Sequence, residues 1–222
     1  MCGRFAVNAP PKAIQTLFEL PELPGVLRPR YNVAPSQKVA AVGLKGDGRR
    51  SLGQLQWGLV RSWANGPKDG PAPINARAEG IASKGMFAEL VRGRRCLIPA
   101  TGFYEWKTVG KKKSPHHFRM RDGGPFALAG LWDVWGDASG PKLATFCLIT
   151  TAPNDVVRAV HDRMPVIVPA PEYARWLDPS TPLDQVTALL RPYPAGEMEG
   201  FAVGPAVGKV ANDGPECLAP AA

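Results

Sequence analysis

Histidine is scarce in this 222-residue chain, three in all, and cysteine is hardly commoner, with four. Cys2, Cys96, Cys147 and Cys217 lie far apart with no C-x-x-C pair. That excludes a zinc-ribbon or disulfide-framework reading, and no metal or cofactor is expected. Also missing are an apolar run near the roughly 18 residues that mark a membrane-crossing helix and the charged-then-apolar opening of a secretory signal. A soluble, intracellular protein without a membrane partner is the expectation. Acidic residues are the minority charge: 19 Asp and Glu against 27 Lys and Arg give a net charge of +8. Such a balance favours a polyanionic partner, nucleic acid first among them.

Glycine and proline, by contrast, are plentiful at 24 each, so many loops and tight turns should decorate the body. With 45% hydrophobic residues there is enough apolar side chain for a core. The length suits one domain over 1–222. "PPKAIQTLFEL" reads as a short helix, and "KVAAVGL" and "SLGQLQWGLV" as two strands of a hairpin closed around "KGDGRR". "RSWANGPKDGPAPINARAEG" has the turn-residue density of a long functional loop. "EGIASKGMFAELVRG" reads as a helix with Ile81, Met86, Phe87 and Leu90 on one side. Strand patterns then dominate in "RRCLIPATGFYEWK", "HHFRMR", "PFALAGLWDVW" and "LATFCLITT", with "TVGKKKSPHH" as an exposed turn. "APNDVVRAVH", "PEYARWL" and "TPLDQVTALL" read as short helices, "RMPVIVP" as a strand, and the glycine-rich tail as a segment returning a strand to the body. Strands without regular βα alternation predict an α+β fold: a mostly antiparallel, barrel-like sheet core with peripheral helices.

Cys2 follows the initiator methionine directly. Removal of Met1 would leave a thiol and the α-amino group on adjacent carbons, a 1,2-aminothiol that no internal cysteine can supply. An α-amine has a pKa of roughly 8 against about 10.4 for lysine, so far more of it is unprotonated at pH 7. Condensation with an aldehyde gives an imine, which the thiol can close into a thiazolidine. Arg4 places a cation near that thiol and is expected to favour thiolate. Cys96 and Cys147, in apolar strand runs, read as small buried hydrophobes. In "GFYEWK", a strand puts Phe103, Glu105 and Lys107 on one face and Tyr104 and Trp106 on the other. A carboxylate among aromatics is a candidate for proton transfer near neutrality; a solvated sheet face is the plainer reading. His161, at the expected end of a helix, is the best candidate acid, because a helix C-terminus favours imidazolium. Asp162 and Arg163 could pair with each other, or Arg163 could face a phosphate. Asn75 and Arg77 alternate in "PINARAE", an amide and a phosphate reader on one side. Trp57 reads as core; Trp63, in a turn-rich stretch, reads as exposed and able to stack on a base.

Taken in order, "MCGRF", "RYNVAPSQ", "WGL", "INARAE", "GFYEWK", "ITTAPN", "HDRMPVIV" and "VGKVANDGPECL" resemble the SRAP (SOS response-associated peptidase) family across nearly the whole chain. The resemblance implies a sensor of abasic sites in single-stranded DNA that captures them as a thiazolidine crosslink on Cys2 after Met1 removal. It assigns Asn75, Glu105 and His161 to the active site with Cys2, and Arg4, Trp63, Arg77 and Arg163 to DNA. It also implies some abasic-site lyase activity and a self-processing peptidase activity, for which Met1 alone would be the target. A bare bacterial-type domain is expected, cytoplasmic and nucleoid-associated when on DNA, and nothing demands more than a monomer. Two rivals stand beside this reading: an N-terminal-nucleophile cysteine peptidase or amidohydrolase, and a noncovalent single-stranded DNA-binding module. The positive charge generates a first expectation. Noncovalent binding to a single-stranded oligonucleotide should weaken steeply between 50 and 200 mM salt, by about tenfold or more. A fluorescence-anisotropy titration with a flat salt response would contradict it.

Overall fold

The computed structural model describes residues 2–22, 25, 27–68, 70, 72–83, 85–136 and 140–221. Runs of alternating and β-branched residues form its strands: β1 (Arg4–Val7), β2 (Arg30–Val33), β3 (Lys38–Leu44), β4 (Arg50–Trp57), β5 (Asn75–Arg77), β6 (Arg95–Ala100), β7 (Gly102–Val109), β8 (Lys112–Met120), β9 (Phe126–Trp135), β10 (Leu143–Thr151), β11 (Met164–Pro165), β12 (Ile167–Val168) and β13 (Met198–Ala202). Short helices sit between them: α1 (Pro11–Phe18), α2 (Gly85–Gly93), α3 (Asp155–Arg158), α4 (Tyr173–Leu177) and α5 (Leu183–Ala188). One sheet runs β13-β8-β7-β1-β2. In the other, β11-β10-β4-β3-β6-β9-β12, strand β9 also pairs with β10, so β10-β4-β3-β6-β9 close on themselves. Apart from β10 with β4 and with β5, the pairings are antiparallel. The expected α+β, mostly antiparallel and barrel-like body is the one observed.

The two sheets meet across an aromatic core. Phe5 of β1 lies 5.3 Å from Trp57 of β4, which stacks at 6.1 Å on Phe146 of β10. Burying such rings removes 150–250 Å² of surface each and dominates the packing. Cys96 and Cys147 are buried in the same core, as expected. The expected β3–β4 hairpin forms, with Leu44 opposite Arg50.

Three expectations shift. The helix foreseen from residue 79 onward is shorter: α2 starts at Gly85, and Gly80, at φ +70°, turns the chain before it. Ile81 is buried from that turn rather than from a helix face. "TVGKKKSPHH" is mostly strand, because Thr108 pairs with Lys113 and Val109 with Lys112. "RMPVIVP" splits in two, β11 pairing with β10 and β12 with β9.

The far face of the five-stranded sheet has its own small core of Ala6, Tyr104, Val203, Val207 and Cys217. Buried His117 joins it, 4.9 Å from Tyr104, and burial lowers its pKa to about 4. Gly102 makes the room: a Cβ there would lie 2.0 Å from His117 Nε2. The C-terminal segment closes this face through Asn32 of β2. The two Asn32 Nδ2 hydrogens are shared among the carbonyls of Val207 (3.1 Å), Lys209 (3.0 Å) and Asn212 (2.8 Å), and its Oδ1 accepts from Arg4 Nη1 at 3.0 Å. Asp213 answers by accepting the Tyr31 and Asn32 N–H groups at 2.7 and 2.8 Å and pairing with Arg30. Asn32→Ala strands these groups and should cost about 3 kcal/mol of unfolding free energy. Urea denaturation showing a loss below about 0.5 kcal/mol, the size of an ordinary surface change, would contradict this clasp.

Candidate active site

Cys2 lies two residues before the start of β1, which pairs with β7, the middle strand of the five-stranded sheet. The Cys2 carbonyl accepts from Asn75 Nδ2 at 2.8 Å. Asn75 stands on β5, which pairs with β10 opposite Leu148. Among the described residues Asn75 Oδ1 is buried with no hydrogen-bond partner, so it offers an acceptor to whatever enters. The Cys2 thiol is fully buried, with its Sγ 3.8 Å from the Arg4 carbonyl. Burial pushes its pKa well above the ordinary thiol value, and the Glu105 charge adds to the rise. The expected thiolate is therefore not favoured. Arg4 points to the other face of the strand, bonded to Asn32 and to the Val207 carbonyl (2.7 Å), with its guanidinium 6.0 Å from the centre of the Trp106 ring.

Glu105 occupies the expected face of β7. Phe103 and Glu105 are buried on the side of the main core, whereas Tyr104 and Trp106 belong to the opposite cluster. At 2% exposure Glu105 is no solvated surface acid, and burial raises its pKa from 4.5 to about 7. His161 Nε2 lies 3.6 Å from Glu105 Oε2. His161 Nδ1 accepts the Arg163 N–H at 3.0 Å, which leaves the proton of the neutral ring on Nε2, facing Glu105. The Asp162 carboxylate is also 3.0 Å from Nδ1. The expected helix end is a single short turn, α3, and burial lowers the His161 pKa instead of favouring imidazolium. A carboxyl that exchanges protons near neutrality thus faces a neutral imidazole beside the first thiol of the chain.

The candidate DNA residues divide. Arg77 is exposed at the end of β5, and Trp63 is 65% exposed with the Arg61 guanidinium 5.9 Å from its ring centre. Arg61 is anchored in turn to Glu89 at 2.8 Å, and the Ser62 N–H to Asp133 at 2.9 Å, so the Trp63 turn has a fixed base. Arg163 does not pair with Asp162: it forks Glu79 at 2.7 and 2.9 Å. Glu79, the last residue of "INARAE", was not singled out by residue type; its alternation with Arg77 was the available signal. A groove of about 1020 Å³, lined in part by Lys45, Arg50, Trp132 and Arg175, lies at the hairpin end of β3 and β4, with no cysteine, serine or histidine among its described lining residues. Among the described residues no cluster of His, Cys, Asp and Glu could hold a metal ion.

Because the folded protein binds the Glu105 proton more tightly than an unfolded chain does, the stability linked to it is complete below about pH 4.5. It is lost as the pH rises through about 7. Glu105→Gln should raise the unfolding free energy at pH 8 by on the order of 2–3 kcal/mol and change it little at pH 4. Urea titrations giving equal effects at both pH values would contradict the buried-carboxyl assignment.

Comparison with known proteins shows the family. The SOS response associated peptidase (SRAP) family matches residues 1–210. Abasic site processing protein YoqW of Bacillus subtilis is 40% identical over 222 residues, covering 98% of this chain and 99% of that protein. Abasic site processing protein YedK of Escherichia coli is 31% identical over 229 residues, with 99% and 100% covered. A crystal structure of a protein from Bacteroides thetaiotaomicron superposes with a TM-score of 0.85 at 26% identity, both chains covered in full. Over nearly its whole length, this chain belongs to the SRAP family.

Proposed function

We propose that the protein processes abasic sites in DNA by capturing the ring-opened deoxyribose on the amine and thiol of Cys2, once Met1 has been removed. The observation that carries this reading is the convergence of Asn75, Glu105 and His161 on Cys2, with a carboxyl poised to exchange protons near neutrality. The relatives YoqW and YedK bear the name abasic site processing protein, which supports the same substrate class.

In this mechanism Glu105 takes a proton from the Cys2 ammonium, freeing the amine lone pair. The amine attacks the C1 aldehyde, and the carbinolamine oxygen leaves as water when protonated Glu105 returns the proton it took, with His161 Nε2–H hydrogen-bonded to the departing oxygen. The thiol then adds to the imine carbon, its proton passing to nitrogen, and the ring closes as a thiazolidine. One water is lost overall. A thiol whose pKa is raised by burial suits this order, in which sulfur attacks last and without prior ionisation. The same property disfavours the cysteine-peptidase rival, whose first step needs a thiolate. Asn75 Oδ1 is placed to hold the sugar hydroxyl. Arg77 and Trp63 are the groups offered to the phosphate and bases of single-stranded DNA. Arg4 and Arg163 would have to leave internal partners to join them. The imine also opens a route to strand cleavage by β-elimination, the lyase activity implied by the family resemblance.

Cys2→Ser keeps the amine and should give a borohydride-trappable imine with abasic single-stranded DNA, while the heat-stable crosslink falls by at least about 100-fold, the scale of losing a covalent step. Denaturing gels after heating read the difference. An undiminished heat-stable band from Cys2→Ser would rule out the thiazolidine.

A further inference from the structure

Arg163 joins two parts of the site. Its backbone N–H donates to His161 Nδ1 at 3.0 Å. Its guanidinium forks the Glu79 carboxylate at 2.7 and 2.9 Å and also donates to the Thr150 carbonyl at 2.7 Å. Thr150, on β10, pairs with Arg77 of β5, the strand that carries Asn75. The peptide that faces His161 is thereby tied to the edge that holds Asn75 against Cys2. The Arg163 side chain is only 14% exposed, and both terminal nitrogens are committed, a poor starting point for a phosphate receptor.

We propose that Glu79 and Arg163 form a bracket that positions His161 and fixes its tautomer, with Nδ1 unprotonated and the proton on Nε2 toward Glu105. Two neighbours compete for Nδ1 and require opposite states of it. The Arg163 N–H needs the ring lone pair, whereas the Asp162 carboxylate, 3.0 Å away, can bind Nδ1 only when it carries a proton. Among the described residues the charged groups facing the ring are Glu105 at Nε2 and Asp162 and Arg163 on the Nδ1 side. With the bracket intact, the backbone N–H holds the lone pair. With the bracket released, residue 163 can shift, Asp162 takes Nδ1 and the ring holds its proton to higher pH. Nε2 then loses its fixed aim at Glu105. The consequence for capture rests on the proposed function; the tautomer does not.

Charge alone predicts the reverse sign. Deleting the Glu79 anion leaves the Arg163 cation uncompensated and should make imidazolium less favourable, lowering the His161 midpoint. Glu79 is 58% exposed, so Glu79→Ala should fold. The test is a 15N-resolved NMR titration of the ring nitrogens in the full chain, where three histidines keep assignment simple. Alongside it, single-turnover capture of an abasic single-stranded oligonucleotide is followed at saturating DNA. The expected results are Nδ1 unprotonated in the parent protein and an upward shift of the His161 midpoint in Glu79→Ala. Capture should slow about tenfold, part of what a well-aimed hydrogen-bond donor supplies. Arg163→Lys, which keeps the charge and loses the fork, should behave like Glu79→Ala. A midpoint that falls or stays in Glu79→Ala, or Arg163→Lys matching the parent protein, would overturn the bracket. A raised midpoint in a protein that captures no abasic DNA would sustain the bracket and overturn the capture reading instead.

Discussion

A carboxyl group withdrawn from water in the middle of β7 sets the terms for everything around it. Glu105 is held between β1 and β8 in the five-stranded sheet, on the face that packs toward Phe5, Phe103 and Phe118. Ionising an acid there costs far more than at a surface, so its proton affinity rises to the neutral range. The same negative charge helps keep the Cys2 thiol protonated, while shared burial keeps His161 neutral. A buried acid of intermediate pKa is suited to freeing an amine at pH 7.

Holding an unfavourable buried acid in place requires rigid surroundings, and the opposite face of the sheet supplies them. Asn32 and Asp213 fasten the C-terminal segment across β1 and β2, and Arg4 is part of that fastening. The motifs "RYNVAPSQ" and "VGKVANDGPECL", distant in sequence, are two halves of one clasp. It pins the strand that begins just after Cys2, so the position of the chain's first thiol depends on residues some two hundred positions later.

Much of this was legible from residue order alone. Alternation in "GFYEWK" separated Glu105 from Tyr104 and Trp106, because a strand's period of two assigns faces without any knowledge of the fold. Apolar runs identified the buried Cys96 and Cys147, and turn-rich stretches the β3–β4 hairpin and the exposed Trp63. What sequence could not convey were partners brought in from elsewhere. Arg4 stands two residues from Cys2, yet it shares the Ala6 face of β1 and bonds Asn32, while Cys2, before the strand begins, packs in the opposite core. Arg163 adjoins Asp162, yet it finds Glu79 across the β5–β10 edge. His161 follows a helical pattern, yet only one turn forms, and desolvation outweighs any dipole effect. In each case a long-range pairing or burial overrode a local expectation, and neither leaves a mark on neighbouring letters of the chain.

The central claim is that the amine and thiol of Cys2 act together on one aldehyde. Intact-protein mass spectrometry tests it most directly, before and after mixing the purified chain with a single-stranded oligonucleotide bearing one abasic site. The account predicts a protein lacking Met1 that gains the mass of the oligonucleotide minus one water, in a heat-stable adduct that peptide mapping places on Cys2. A processed protein that forms no adduct, or one whose adduct maps to a lysine, would contradict it.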